Sequence, residues 1–306
     1  MVVVVASGES KAANDLIHNH IDRVLGLLKS YAGFTPSASL RYKLEHIFRK
    51  VDPAILKSWI DQLHSTSSYN ELNALVEDLT NHETFFFREK VQLDVLADDL
   101  LPAIIAEKIK NRDHSIRIWS AACSTGEEPY TLAMLTLCAL VKAGVARETE
   151  PGKITLPSNW KVEVFGTDIS RQALKISENA IYIHKPDKLH SFRQFPEQYK
   201  RFFNIIGEPD KVYGMTSYKI NESVKRLVKF SWFNLKSPTP AVNNVDFIFC
   251  RNVLIYFDKA DHGDVQAMLA RALTKKGYLF LGLVDNLSTT CKLKINRQYK
   301  CTLYEA

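Results

Sequence analysis

The stretch over residues 116–130, IRIWSAACSTGEEPY, constrains the fold of this chain more than any other part of the sequence. Its apolar start predicts a short buried strand, Gly126 allows a tight turn, and Pro129 suits the first turn of a helix. The free amides at a helix start attract an anion, whereas Glu127 and Glu128 attract a cation. The junction therefore suits a ligand that carries both charges, although an ordinary strand-to-helix turn explains the same residues.

Strand and helix signals alternate after this junction. Strand patterns occupy four ranges and helical patterns two: residues 161–166, 226–231, 246–250 and 278–283 for strands, and residues 171–180 and 259–273 for helices. This alternation predicts an α/β fold with a doubly wound, mostly parallel sheet that helices cover on both faces. Residues 291–295 and 299–304 could close the sheet as an antiparallel hairpin.

The amino-terminal part has a helical pattern throughout. Apolar residues recur at three- and four-residue steps in four segments between residues 14 and 79, and loop signals separate the segments. We expect an all-helical domain over residues 10–80. Basic residues are frequent between residues 40 and 57, which is typical either of an electropositive face or of an ordinary solvated helix surface.

A linker motif, NHETFFFREK, follows the helical part at residues 81–90. Three consecutive phenylalanines cannot all face one core from a helix or a strand. Some of them could wall a pocket in which Thr84 supplies a hydroxyl and Arg88 a fixed cation. The alternative is an inter-domain hinge that packs its aromatic rings and holds Arg88 in a structural ion pair. A connecting helix over residues 92–110 completes the segment 81–112.

Polar side chains are predicted just beyond the strands, where open α/β sheets bind their ligands. Asp168 could accept hydrogen bonds from ribose hydroxyls, or it could cap the next helix. Asn234 and Leu235 are placed to meet the edge and face of an adenine. Arg251 and Asn252 lie at the next strand tip, and Tyr256 follows, where it could also pack under a helix.

Composition bounds the remaining possibilities. The longest apolar run, residues 132–141, is about half of what a bilayer span needs, and the VVVV start lacks the features of a secretory signal. The five cysteines include no CxxC pair and the nine histidines no HExxH motif, so we expect a cytoplasmic protein without a metal site. The net charge of +6 is compatible with an acidic protein partner or with nucleic acid.

SAACSTGEEPY, TDIS and FCRNVLIYFD, in this order behind NHETFFFRE and a basic helical region, resemble the CheR family of S-adenosylmethionine-dependent chemotaxis receptor methyltransferases. The resemblance covers the chain from about residue 14 to its end. It implies a methyltransferase domain over residues 113–306 with a small β insertion at about residues 182–224. It also implies methyl esterification of glutamate side chains on the cytoplasmic helices of chemoreceptors, with S-adenosylhomocysteine as the product.

The resemblance further implies roles for individual residues. Thr84, Arg88 and His82 of the linker motif would contact the cofactor, and Glu128 would meet its methionine ammonium. Further cofactor contacts would come from the strand ends: Asp168 at the ribose, Asn234 and Leu235 at the adenine, and Arg251 and Asn252 at the strand tip. Arg88 and Tyr256 would be the catalytic residues beside the reacting methyl group. A monomer in the cytoplasm is expected, recruited to membrane receptor arrays without insertion into the bilayer and without nucleic acid.

Two departures from the family pattern bear on function. His82 stands where the family commonly has asparagine, and an imidazole could supply a similar hydrogen bond. Residues 282–285 read GLVD where the family often has GHSE, which leaves open a cofactor-binding regulator or scaffold without turnover. A methyltransferase acting on nucleic acid is a further alternative. It is disfavoured because the strand end reads RNVLIY rather than an NPPY-type sequence and no dense Lys/Arg tract occurs.

Overall fold

The computed structural model describes residues 11–63, 69–80, 83–185, 191–193, 195–208 and 214–306. Four helices form the amino-terminal helical unit: α1 (Lys11–Ala32), α2 (Ala38–Phe48), α3 (Pro53–Gln62) and α4 (Tyr69–Leu79). The side-chain oxygens of Ser37 and Asp52 cap α2 and α3. Each helix buries one apolar side in a shared core, to which Val24, Leu44 and Val76 belong. The predicted four-helix pattern is therefore confirmed.

Strands and helices then follow in alternation. In chain order they are α5 (Lys90–Val95), α6 (Leu101–Asn111), β1 (Ser115–Ala121), α7 (Glu127–Lys142), β2 (Arg147–Glu150), β3 (Lys153–Thr155), β4 (Lys161–Asp168), α8 (Arg171–Asn179), β5 (Ile181–His184), β6 (Phe203–Ile206), β7 (Thr216–Ile220), α9 (Glu222–Lys225), β8 (Val228–Trp232), β9 (Val245–Cys250), α10 (Lys259–Ala272), β10 (Leu273–Leu281), β11 (Lys294–Asn296) and β12 (Leu303–Glu305). Short 3-10 turns lie at Glu197–Phe202 and Leu254–Tyr256.

Seven strands form one sheet in the order β11-β12-β10-β9-β1-β4-β8. The five strands from β10 to β8 are parallel, and β12 and β11 add an antiparallel hairpin at one edge. The chain moves outward from β1 through β4 to β8 and then returns to the other side of β1 as β9. The reversal makes the carboxyl ends of β1 and β9 the topological switch point, where such sheets bind ligands. The doubly wound fold predicted from the sequence is confirmed.

Two local predictions differ from the structure in detail. The expected helix over residues 92–110 contains a π-helical turn at Leu96–Leu100, shortly before Pro102, which has no amide hydrogen for the helical ladder. The connection between α7 and β4 contains the β2–β3 hairpin, for which no strand was predicted from the sequence. The strand expected at residues 278–283 begins at Leu273, has a register shift before Tyr278, and ends at Leu281.

A small antiparallel sheet, β5-β7-β6, lies between α8 and β8, within the range where an insertion was predicted. Its inner face joins an aromatic cluster in which Phe86 of the linker contacts Phe192 at a centroid distance of 5.4 Å and Phe203 at 5.3 Å. The linker therefore packs the insertion against the core of the seven-stranded sheet. Residues 186–190, 194 and 209–213 of the predicted insertion lie outside the described residues.

Candidate functional site

A cavity lies beyond the carboxyl ends of β1, β4 and β9, and the helical unit forms one of its walls through Ala32, Phe34 and Thr80. The predicted site residues converge on this cavity. Its lining includes Thr84, Arg88, Glu128, Asp168, Asn234, Leu235, Arg251, Asn252 and Tyr256. His82 lies outside the residues that the structure describes. The structure thus brings together every predicted site residue that it describes.

The junction between β1 and α7 has an unusual backbone. Ala122 and Ser124 adopt positive φ values of 67° and 50°, and Gly126 has a φ of 95°. Left-handed conformations at non-glycine residues cost energy and are concentrated at functional sites. Asp168, at the end of β4, holds this loop, since its Oδ2 accepts a hydrogen bond from the Ser124 amide at 2.7 Å. The helix cap of α8 is Ser170 and not Asp168, so the capping alternative for Asp168 was wrong.

The two acids after Gly126 have different surroundings. Glu127 is buried away from the cavity, where its carboxylate accepts hydrogen bonds from Ser191 at 2.6 Å and Thr125 at 2.7 Å. Burial raises the pKa of the Glu127 carboxyl. Glu128 lines the cavity and accepts from the Ser120 hydroxyl at 2.6 Å. Only Glu128 is therefore available to a ligand in the cavity.

Arg251 is the centre of a buried ionic network at the tip of β9. Its Nε donates to Glu128 at 2.7 Å, and its Nη1 donates to the backbone oxygen of Arg88 at 3.0 Å. Nη1 also lies 3.4 Å from a carboxylate oxygen of Glu89. The side chain of Arg251 is only 2% exposed. Nη2 of Arg251 makes no hydrogen bond to any residue of the described ranges, although Arg251 lines the cavity. Nη2 is thus the guanidinium nitrogen left for an anionic ligand.

Glu89 is a member of this network that the sequence reasoning missed. Its Oε1 accepts from Nδ2 of Asn252 at 2.9 Å, and both residues have positive φ values, of 59° and 57°. The buried side chain of Arg251 and the half-buried side chain of Asn252 at the strand tip require hydrogen-bond acceptors. Glu89, the acid next to Arg88 in the linker motif, could have been predicted from this requirement. Glu89 connects the linker to the strand tip.

The three phenylalanines of the linker divide between the two predicted roles. Phe86 and Phe87 are buried in the aromatic cluster with the insertion, whereas Phe85 lines the cavity. Arg88 lies 5.7 Å from the Phe85 ring centroid, and its Nη1 donates to the Glu83 backbone oxygen at 2.7 Å. Its other nitrogens have no hydrogen-bond partner among the described residues, and it forms no ion pair with them. The structural ion pair considered for Arg88 is absent there.

Asn234 and Tyr256 fasten the helical unit to the sheet as well as lining the cavity. Nδ2 of Asn234 donates to the Tyr31 backbone oxygen at 2.7 Å. The Thr35 amide donates to the Tyr256 backbone oxygen at 2.8 Å. Tyr256 packs against the core of the helical unit and against the sheet. The cavity is therefore closed by a wall that hydrogen bonds hold in place.

The fold and site together define the class of the protein. A doubly wound sheet with an antiparallel hairpin at one edge, an acid at the end of β4 and a cavity at the switch point are the arrangement of S-adenosylmethionine-dependent methyltransferases. The family model described as "CheR methyltransferase, SAM binding domain" matches residues 82–302. The chain belongs to the CheR methyltransferase family, and S-adenosylmethionine is its cofactor.

Curated relatives agree with this assignment. A chemotaxis protein methyltransferase of Vibrio parahaemolyticus is 31% identical over 287 residues, which cover 94% of this chain and 92% of the relative. The chemotaxis protein methyltransferase of Vibrio anguillarum is 38% identical over 216 residues, which cover 70% of this chain and 68% of the relative. The chemotaxis protein methyltransferase of Escherichia coli is 31% identical over 231 residues, which cover 75% of this chain and 70% of the relative. A solved TehB-like methyltransferase of Corynebacterium glutamicum matches at a TM-score of 0.33 and 11% identity over 70% of this chain and 90% of that one, which is too weak for an argument.

The residues of the cavity fit the cofactor. Glu128 and Arg251 both line the cavity and place a negative and a positive charge side by side, which matches the zwitterionic amino-acid end of the cofactor. Asp168 at the end of β4 matches a pair of ribose hydroxyls, and the apolar side chains of Phe233 and Leu235 match an adenine face.

No helix within the described residues is long and apolar enough to cross a membrane.

Proposed function

We propose that this chain transfers the methyl group of S-adenosylmethionine to glutamate side chains of chemoreceptor cytoplasmic helices and produces glutamyl methyl esters. One observation carries the choice of a carboxylate acceptor. Arg88 lines the cavity with a guanidinium of which only Nη1 is engaged by the described residues. The planar fork of a guanidinium matches a carboxylate better than any other side chain does. The names of the relatives support the chemotaxis context.

The residues of the cavity have complementary roles in this proposal. Thr84, Glu128, Asp168, Leu235 and Arg251 hold the cofactor, with Asn234 and Asn252 completing its surroundings, and His82 is retained as a contact on the strength of the family pattern. Arg88 orients the acceptor carboxylate, and Tyr256 lies beside the reacting groups. S-adenosylmethionine supplies an electrophilic methyl group on a positively charged sulfur.

The reaction needs alignment rather than a strong base. A glutamate carboxylate is already ionised at neutral pH, since its usual pKa is about 4.3. An oxygen–carbon bond forms as the sulfur–carbon bond breaks, and the two opposite charges disappear without a proton transfer. Orientation of two reactants can supply roughly 7 to 11 kcal/mol of the barrier. Holding the carboxylate on Arg88 and excluding water are therefore the main tasks of the chain.

The same proposal covers the setting of the enzyme. We place it in the cytoplasm as a monomer that is recruited to membrane receptor arrays and does not act on nucleic acid. The proposed division of the chain is a helical domain over residues 10–80, a linker and connecting helix over residues 81–112, and a methyltransferase domain over residues 113–306 with its insertion at about residues 182–224.

Release of the transferred group by mild base tests the proposed chemistry. The chain is incubated with methyl-labelled S-adenosylmethionine and a soluble chemoreceptor cytoplasmic fragment, and the protein is then treated with mild base. We expect the label on the receptor fragment and its release as methanol, because esters hydrolyse under these conditions. Base-stable label or no incorporation would contradict the proposal. A fragment with glutamine in place of its methyl-accepting glutamates is the matched control.

A further inference from the structure

The turn after β10 presents two large apolar side chains to solvent. The Asp285 amide donates to the Gly282 backbone oxygen at 3.0 Å and closes the turn. Leu283 and Val284 lie between these residues and are 75% and 72% exposed, more than the other large aliphatic side chains of the described residues. Contiguous exposed apolar groups of this kind commonly mark contact sites.

This turn is held in place from below. The buried Gln266 donates to the Asn286 backbone oxygen at 2.9 Å and accepts from the Ser288 amide at 2.6 Å. A Cβ atom at Gly282 would lie 2.9 Å from the Asn252 amide nitrogen, so the turn packs tightly on the strand tip. Leu283 and Val284 are therefore displayed on a fixed backbone, which lowers the entropic cost of binding a partner.

Further exposed groups extend the turn into a groove. Val91 and Ile295 are 52% and 51% exposed, and they line the same groove as Leu283. Arg297 and Lys300 also line it, are exposed, and form no ion pair with any described residue. We call Val91, Leu283, Val284, Ile295, Arg297 and Lys300 together the turn surface. It combines apolar anchors with unpaired positive charge.

The turn surface lies next to the cofactor cavity. Glu89 lines the groove and also bonds Asn252, which lines the cavity. Two acids, Glu89 and Asp285, lie at the base of the groove. Glu89 is paired with Arg251 at 3.4 Å, and burial raises the pKa of the Asp285 carboxyl, so neither acid cancels the cations at the surface of the groove. A partner bound in the groove would meet apolar and positive groups at the edge of the active site.

We infer that the turn surface docks the methyl-accepting helix itself, as an amphipathic helix rich in glutamate. This inference rests on the proposed function, because glutamate side chains that accept methyl groups bring negative charge to the site of modification. Its apolar side would pack on Leu283, Val284 and Ile295, as amphipathic helices do in apolar grooves. Arg297 and Lys300 would attract its negative charge and fix its direction. The turn surface thereby selects the acceptor.

Binding and kinetics with a chemoreceptor cytoplasmic fragment test the docking. In Leu283→Ser/Val284→Ser we expect Kd and KM for the fragment to rise about tenfold, the cost of losing an apolar anchor pair. kcat at saturating fragment and Kd for S-adenosylmethionine stay unchanged, since neither side chain lines the cavity. In Arg297→Glu/Lys300→Glu we expect weaker binding whose dependence on salt is flatter than that of the wild type.

Matched controls come from the amino ends of the parallel strands, opposite to the cavity. Ile109 is 44% exposed, and Lys110 follows it at the end of α6, just before the amino end of β1. Ile109→Ser and Lys110→Glu should bind the fragment as the wild type does. Equal Kd values for the turn variants and the controls would overturn the docking, as would a wild type that does not bind the fragment. Binding through the turn surface without methyl transfer would instead leave the docking standing and refute the proposed function.

Discussion

At the scale of single residues, Arg88 decides whether the cavity is built for a carboxylate acceptor. We expect Arg88→Ala to lower the single-turnover rate of methyl transfer by about 100-fold, because the acceptor loses its orientation. The Kd for S-adenosylmethionine should change by less than about threefold, since Glu128 and Arg251 remain. Isothermal titration and single-turnover kinetics separate the two quantities.

A neighbouring arginine provides the control for that experiment. Arg193 lies 4.0 Å from the same Phe85 ring and bonds Glu83 at 2.8 Å, but it does not line the cavity. Arg193→Ala should therefore keep the transfer rate. If Arg88→Ala transferred at the wild-type rate and only bound the cofactor more weakly, the role given to Arg88 would be wrong.

The ionic network of Arg251 makes a second prediction at this scale. Arg251→Met leaves the buried carboxylates of Glu128 and Glu89 without their cation, so the free energy of unfolding should fall by about 3 kcal/mol or more. Glu128→Gln in the same chain removes one of the stranded charges and should restore part of the loss. Urea denaturation of both single variants and the double variant measures this coupling. Strictly additive effects would contradict the network.

At the scale of elements, the helical unit contains a buried imidazole that makes its stability depend on pH. His20 of α1 is 4% exposed, and neither ring nitrogen has a hydrogen-bond partner among the described residues. Burial lowers the pKa of His20, the charges of Arg23 and Lys57 lower it further, and Asp61 acts in the opposite direction. The neutral ring is thus the form that fits the folded core.

The sign of the resulting pH effect follows from linkage. The unfolded chain binds a proton at His20 near pH 6.5, whereas the folded chain binds it only at lower pH. The free energy of unfolding should therefore fall as the pH drops below about 6.5 toward the pKa that His20 has in the folded chain. Above about pH 6.5 the contribution of His20 to the stability should be constant. Urea midpoints between pH 7.5 and 5 measure the slope. His20→Leu should flatten it, and an unchanged slope in that variant would refute the role of His20.

The elements that the sequence predicted well are those with strong apolar periodicity. The four amino-terminal helices each bury a regular apolar face, and β1 is a nearly continuous buried run, so the apolar pattern of the sequence reflects the burial in the structure. The β2–β3 hairpin was missed because β2 has no buried residue, so its pattern carries no signal. Glu89 was missed for another reason, since its partner Asn252 is 163 positions away and only the fold brings them together.

At the scale of the whole molecule, the cavity depends on both units. The helical unit is held to the sheet by contacts that surround the cavity, including Asn234 to Tyr31 and Tyr256 to Thr35. Glu77 of α4 adds another by accepting from the first amides of α8, with a distance of 2.6 Å to the Arg171 nitrogen. Cofactor binding should therefore stabilise the two units together rather than the sheet alone.

Hydrogen exchange can measure this coupling. The Thr35 amide bonds Tyr256, and its neighbour Phe34 lines the cavity, so its exchange requires the wall to open. With S-adenosylmethionine at 100 times its Kd, any opening that releases the ligand becomes about 100-fold rarer, and exchange at Thr35 should slow accordingly. Asp168→Asn at the same cofactor concentration should show little slowing, because it weakens binding. The Ser124 amide, which donates to Asp168, reports on the sheet side of the cavity. If the cofactor slowed hydrogen exchange at Ser124 but not at Thr35, the helical unit would open independently of the bound cofactor.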